Sequence, residues 1–111
     1  MTEKTQKYLS DVLLAIEMIE LFSEGITNFA EYQQDLKSKS TIERQLAIVG
    51  EALNHVRKEN EVQISNASEI IGLRNRLIHA YDNIDNAVVW LILKKYLPLL
   101  KEEVTSLTET T

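Results

Sequence analysis

Residues 72–81 read Gly-Leu-Arg-Asn-Arg-Leu-Ile-His-Ala-Tyr and form the most informative stretch of the chain. In the rest of the chain, apolar and charged residues alternate at helical spacing. The same spacing within and around this stretch predicts a helix over about residues 68–82. At about 100° per residue, Asn75, Arg76 and His79 fall on one side of this helix. Its apolar residues fall on a broad arc opposite: Ile70, Ile71, Leu73, Leu77, Ile78 and Tyr81.

Arg74 does not obey this pattern, because it projects near the middle of the apolar arc. A buried guanidinium without a partner is very costly in free energy. We therefore expect Arg74 to meet a carboxylate from a neighbouring helix, or to lie where a second chain or an anionic ligand arrives. Sequences usually break their local rules at sites of function or strain.

The composition is that of one globular domain spanning residues 1–111, with 44% hydrophobic and 26% charged residues. Three glycines and one proline favour long helices over many short strands. The net charge of −5 argues against non-specific duplex binding through a broad basic surface, although a small basic cleft remains compatible with it. The absence of cysteine excludes disulfides and thiolate chemistry.

Neither a membrane nor a bound cofactor is expected. The N-terminus lacks the apolar segment of a signal peptide, and the longest apolar run, residues 87–93, is far shorter than the roughly 20 residues of a membrane span. A cytoplasmic location follows as the default. No metal site is predicted, because His55 and His79 fall on different predicted helices and there is no cysteine. No glycine-rich phosphate loop is present.

Four main helices are predicted. The first spans residues 3–23 and carries two apolar stripes, one for the core and one for another neighbour or a partner subunit. The second stripe consists of Leu14, Met18 and Leu21. A short helical turn, capped near Asn28, and a polar loop over residues 33–40 follow. The second main helix is expected to start at a capping box of Ser40 and Glu43 and to run to about residue 57.

The third main helix carries the motif, and the fourth is expected over residues 86–106 with Asp85 as its cap. Residues 87–93 are rich in β-branched side chains and taken alone would suit a strand, but an all-helical neighbourhood favours helix. Pro98 is expected to kink this helix, or to mark a break near Tyr96.

Three residues of the second main helix bear on a site. Gly50 inside a helix costs roughly 1 kcal/mol relative to alanine, which indicates that another helix packs closely there. Glu51 and His55 stand one turn apart, and a solvated ion pair between them is the favoured interpretation. The alternative is that Glu51 pairs with Arg74 or lines the cleft. His55 is expected to be a surface residue rather than a second catalytic histidine.

Histidine and arginine together can supply a proton-transfer group and a phosphate-binding cation without a metal. Histidine titrates near neutrality, so His79 can act as a general base or acid. Arginine keeps its charge, so Arg74 can bind a phosphate with two donors. One motif histidine per chain is few for an acid–base pair, and a two-fold dimer would supply the second.

The stretch also resembles the signature of the HEPN superfamily (higher eukaryotes and prokaryotes nucleotide-binding domain). Arg74, Asn75, His79 and Tyr81 read as R-x-x-x-x-H-x-Y with a polar residue after the arginine. With the upstream string TIERQLAIVGEAL, residues 41–53, the chain is similar over nearly its whole length to HepT-type toxins, which pair with a minimal nucleotidyltransferase antitoxin. The resemblance implies an all-α, up-and-down bundle of four main helices that acts as a homodimer.

The resemblance further implies a metal-independent endoribonuclease with a composite site at the dimer interface. By it, Arg74 would bind the phosphate of the RNA, His79 would be the general acid/base, and Asn75 would orient His79. Tyr81 matches the tyrosine that the cognate nucleotidyltransferase modifies with AMP. Glu51 and Arg76 are candidates for supporting the site, although Arg76 is expected to be exposed to solvent.

Two other functions remain open from the sequence. The chain could be a non-catalytic subunit that presents a nucleotide or substrate to a nucleotidyltransferase, in which case the same residues would bind phosphate without cleavage. It could also be a plain helical dimerisation module, with Arg74 as a structural ion pair.

Overall fold

The computed structural model describes residues 1–79 and 85–109, with side chains from 1 to 76 and from 85 to 109. These residues form helices and no strand. The elements are α1 (Glu3–Ser23), α2 (Phe29–Gln34), α3 (Leu36–Glu59), α4 (Ala67–His79), α5 (Asn86–Leu91), a π-helical segment (Ile92–Tyr96) and α6 (Leu97–Glu109). The predicted all-α bundle of four main helices is confirmed, since α5, the π segment and α6 form one continuous helix.

The long helix α3 lies between α1 and α4, and α6 packs on α1. No helix in the described part of the chain is both long and apolar enough to cross a membrane. One core runs through the bundle, and its fully buried side chains come from every main helix, including Leu9, Ile16, Leu46, Leu53, Ile70 and Leu100.

Helix α1 has the bounds that the sequence predicts. Thr2 caps it, because its hydroxyl accepts a hydrogen bond from the backbone N–H of Thr5 at 3.2 Å. The first apolar stripe is buried against α3 and α6. The second stripe remains exposed in the isolated chain, at 59%, 40% and 63% for Leu14, Met18 and Leu21.

Helix α3 begins earlier than predicted, so the loop over residues 33–40 and the capping box at Ser40 and Glu43 are wrong. Asp35 is the cap, and its carboxylate accepts a hydrogen bond from the backbone N–H of Ser38 at 3.1 Å. Residues 37–40 are polar, but residues 36–40 contain neither glycine nor proline, so nothing in their backbone prevents the helix from starting at Leu36. The predicted short turn capped by Asn28 is confirmed as α2.

The last helix contains a local change of winding instead of a break. Asp85 caps α5 as predicted, with a hydrogen bond from the backbone N–H of Ala87 at 2.9 Å. The N–H of Leu97 then donates to the carbonyl of Ile92, five residues back, which closes a π turn. This wide turn stands directly before Pro98, which lacks an N–H, and it lets the helix continue past the proline.

Helices α3 and α4 approach very closely at Gly50. A Cβ atom added to Gly50 would overlap the Cβ of Arg74, and it would lie 3.0 Å from the Arg74 Cγ and 3.1 Å from the carbonyl oxygen of Ile70. The predicted close packing at this glycine is therefore confirmed. Gly72, in α4, is different, because nothing lies within 4 Å of the point where its Cβ would stand.

This contrast gives a matched pair of substitutions. We expect Gly50→Ala to lower the free energy of unfolding by about 1–3 kcal/mol, because the added methyl group would push α3 and α4 apart. We expect Gly72→Ala to raise it by about 0.5–1 kcal/mol, because alanine is the better helix former and meets no neighbour. Urea denaturation of both variants tests this. A Gly50→Ala variant as stable as the wild type would contradict the close approach.

Candidate active site

Arg74 leaves α4 at the interface with α3, where its aliphatic stem lies over Gly50. The side chain is half-buried. Its Nη1 donates a hydrogen bond to the side-chain oxygen of Asn75 at 3.0 Å. Its Nε is buried and has no hydrogen-bond partner among the described residues.

No carboxylate from residues 1–76 or 85–109 lies within ion-pair distance of Arg74. The sequence predicts two possible partners for Arg74, and the first of them, a carboxylate from a neighbouring helix, is not found in the described part of the chain. A second chain or an anionic ligand is the other possible partner. An unpaired buried donor costs about 1–3 kcal/mol.

Glu51 and His55 do not form the predicted ion pair. The His55 ring stacks on Tyr8 of α1, with ring centroids 4.6 Å apart and planes 11° from parallel, and it is half-buried. His55 is therefore part of the α1–α3 contact and not a free surface residue, because its flat ring gains more from this stacking than from an exposed charge pair. Glu51 is exposed, does not pair with Arg74, and lies with Asp11 in a groove of about 190 Å³ between α1 and α3.

Asn75, Arg76 and His79 lie in the C-terminal half of α4. Asn75 and Arg76 are exposed, as predicted for Arg76. His79 is the last residue of α4, about 140° around the helix axis from Arg74. The side chain of His79 and the whole of Tyr81 lie outside the described residues. The predicted orientation of His79 by Asn75 therefore stays a prediction, and the structure instead shows Asn75 bound to Arg74.

A second groove, which the motif did not indicate, lies on the other side of α4. It has a volume of about 320 Å³ and separates α4 from α5 and the π segment. Gly72, Arg76 and Tyr96 are among its lining residues. The one feature of the sequence that could have indicated this groove is Gly72. A glycine inside a helix lowers its stability relative to alanine, and nothing in the sequence explains that loss at position 72.

Comparison with known proteins agrees with these observations. The model of the family described as "Ribonuclease HepT-like" matches residues 12–107. A protein of Thermococcus cleftensis named "Probable ribonuclease HepT" is 34% identical over 106 residues, which cover 91% of this chain and 93% of that protein. A protein of Methanocaldococcus jannaschii named "Putative RNase MJ1380" is 31% identical over 99 residues, covering 87% and 90%. No solved structure matches the chain.

The environment of Arg74 predicts how the fold responds to its loss. We expect Arg74→Met to leave the helical content unchanged and the free energy of unfolding within about 1 kcal/mol of the wild type, or higher, because Arg74 forms no ion pair with a described residue and its buried donor has no described partner. Circular dichroism and urea denaturation measure both quantities. A loss of about 3 kcal/mol or more, the cost of breaking a buried ion pair, would instead identify Arg74 as a structural residue.

Proposed function

This chain belongs to the HepT-like ribonuclease family, and from that membership we propose that it is a metal-independent endoribonuclease whose active site is shared by two copies of the chain. The observation that carries the proposal is the guanidinium of Arg74. It is half-buried, held in place by α3 and Asn75, and one of its donors has no partner among the described residues. Such a group is a preorganised site for a phosphate of RNA.

In the proposed reaction a 2′-hydroxyl of RNA attacks the adjacent phosphorus. A bond forms between O2′ and phosphorus while the bond from phosphorus to O5′ breaks, which leaves a 2′,3′-cyclic phosphate and a 5′-hydroxyl. His79 of one copy takes the proton from the 2′-hydroxyl, and His79 of the other copy gives a proton to O5′. Arg74 offsets the charge that grows on the phosphate oxygens in the transition state.

The proposal of a dimer rests on the need for a second acid–base group, which the motif of one chain does not supply. Each chain offers one motif histidine, whereas the reaction needs both a base and an acid. The exposed stripe of Leu14, Met18 and Leu21 on α1 supplies an apolar face of the kind that association buries. A two-fold axis would bring two copies of each motif residue into one assembly.

Control by a cognate nucleotidyltransferase is part of the proposal and rests on the match of Tyr81 to the family motif. The Tyr81 oxygen would attack the α-phosphorus of ATP, with pyrophosphate as the leaving group, so that AMP becomes attached beside the site. The added negative charge and bulk would repel RNA. We expect the intact mass of the chain to rise by one or more AMP units when the antitoxin and ATP are present. Tyr81→Phe should show no increase and should keep its ribonuclease activity under the same conditions.

The first experiment is cleavage of a cellular RNA mixture by the purified wild type and by His79→Ala, with EDTA present. We expect the wild type to produce 2′,3′-cyclic phosphate ends, and we expect the variant to lose at least about 100-fold in rate, as removal of a general acid–base group does. A folded, unmodified wild type that does not cut RNA would favour a non-catalytic subunit of a nucleotidyltransferase. Cleavage that EDTA abolishes would overturn the metal-independent mechanism.

Mixing experiments then test whether the site is shared. After subunit exchange in an equal mixture of wild type and His79→Ala, about one quarter of the activity should remain if both histidines act together, and about one half if each chain acts alone. Light scattering must show a mass of twice 12.7 kDa for the wild type. A monomer at the concentration of the assay would rule out the composite site.

A further inference from the structure

The groove between α4 and the π segment has a floor of apolar side chains and charged residues at its edge. Leu73, Val88 and Ile92 supply apolar surface, and Tyr96 lies at the end of the groove nearest the start of α4. At about 320 Å³ it stands at the small end of the range for ligand pockets, roughly 300–1,000 Å³.

Gly72 opens this groove at a cost to the stability of the helix. Glycine in a helix interior costs roughly 0.5–1 kcal/mol relative to alanine. The cost at Gly50 is explained by the contact with Arg74, but nothing within 4 Å of the Gly72 Cβ position requires a glycine there. Any side chain longer than hydrogen would instead project into or over the groove that Gly72 lines.

The charges around the groove differ between its two ends. Arg76 lies at the end nearer to His79, is exposed, and pairs with no carboxylate among the described residues. Glu69 lies about 10 Å away along α4, at the end where Tyr96 stands. The ammonium of Lys95 lies 5.4 Å from the centroid of the Tyr96 ring and adds a second cation at that end.

Gly72 in the groove and the motif histidine stand at positions on the same face of α4. Positions 72 and 79 are seven residues apart, so they differ by only about 20° around the helix axis. Arg76 lies between them along the axis. A single-stranded RNA chain that passes the motif histidine can therefore run along the groove without crossing the helix.

The geometry points to a subsite for a nucleotide of single-stranded RNA next to the cleaved phosphate, an inference that rests on the function proposed above. Arg76 binds the phosphate of this nucleotide, and its base lies on the apolar floor against Tyr96, where Glu69 accepts hydrogen bonds from base N–H groups. Aromatic side chains and a basic edge are the usual elements of single-strand binding. A second copy of the chain fits less well, because Glu69 and Arg76 would both lose solvent and the core of a protein interface is poor in charged residues.

Binding of a fluorescein-labelled single-stranded RNA of mixed sequence, measured by anisotropy, tests the subsite. All variants are made in the His79→Ala chain, so that the RNA stays intact. We expect Gly72→Leu to weaken binding at least about 5-fold and Tyr96→Leu to weaken it roughly 5- to 150-fold, the range for the loss of one stacked base. Tyr96→Phe keeps the ring and should bind like the parent.

Arg76→Gln has a matched control in Lys101→Gln. This variant removes the same charge from α6, where Lys101 pairs with Glu20 of α1 at 2.9 Å and does not line the groove. We expect Arg76→Gln to weaken binding and to lower the salt dependence by about one ion, and Lys101→Gln to do neither. Parent-like binding by both Gly72→Leu and Arg76→Gln, with helical content unchanged, would overturn the subsite.

The outcomes also separate this inference from the proposed function. If the wild type cuts RNA but the groove variants bind normally, the subsite fails and the ribonuclease stands. If the groove variants lose RNA binding but the wild type cuts nothing, the catalytic proposal fails and the groove remains an RNA site. If Gly72→Leu converts a dimer into a monomer, the groove is a contact between copies and the subsite is overturned.

Discussion

The close approach of α3 and α4 at Gly50 is the constraint on which the site depends. A glycine on one helix lets the stem of Arg74 lie directly against the other, with no room for a methyl group between them. The guanidinium is thereby held at the edge of the core, with one donor tied to Asn75 and another buried without a described partner. A cation in this position loses part of its hydration but keeps its charge, which is the state in which it binds an anion most strongly.

Helix α4 therefore has two distinct faces, one packed on α3 and one that borders the groove. Because one side of the helix is occupied by α3, the opposite side is free to form a groove with α5 and the π segment. The π turn before Pro98 contributes to that groove, since Ile92 and Tyr96, its first and last residues, both line it. The phosphate site proposed at Arg74 and the RNA subsite proposed at Gly72 would thus lie on opposite sides of a single short helix, with the motif histidine at its end.

The sequence predicted much of this architecture because its signals were local. The bounds of α1 and the cap at Asp85 follow from side-chain spacing and from short polar residues at helix starts. The start of α3 was missed because two capping signals, Asp35 and Ser40, stand five residues apart, and the mostly polar residues between them are compatible with either helix or loop. The predicted ion pair of Glu51 and His55 was wrong because the stacking partner of His55, Tyr8, is far away in the chain.

By itself, the sequence determined the helical class of the chain, its family, and the residue types of the motif proposed to bind phosphate, since each of these is carried by periodicity or by residues only a few positions apart. Only the tertiary structure decided the environment of those residues. Whether Arg74 meets a carboxylate, whether Glu51 reaches it, and whether an open space stands beside Gly72 all depend on how separate helices pack. Such contacts join residues far apart in the chain, and a helical pattern fixes the direction of a side chain but not what lies in front of it.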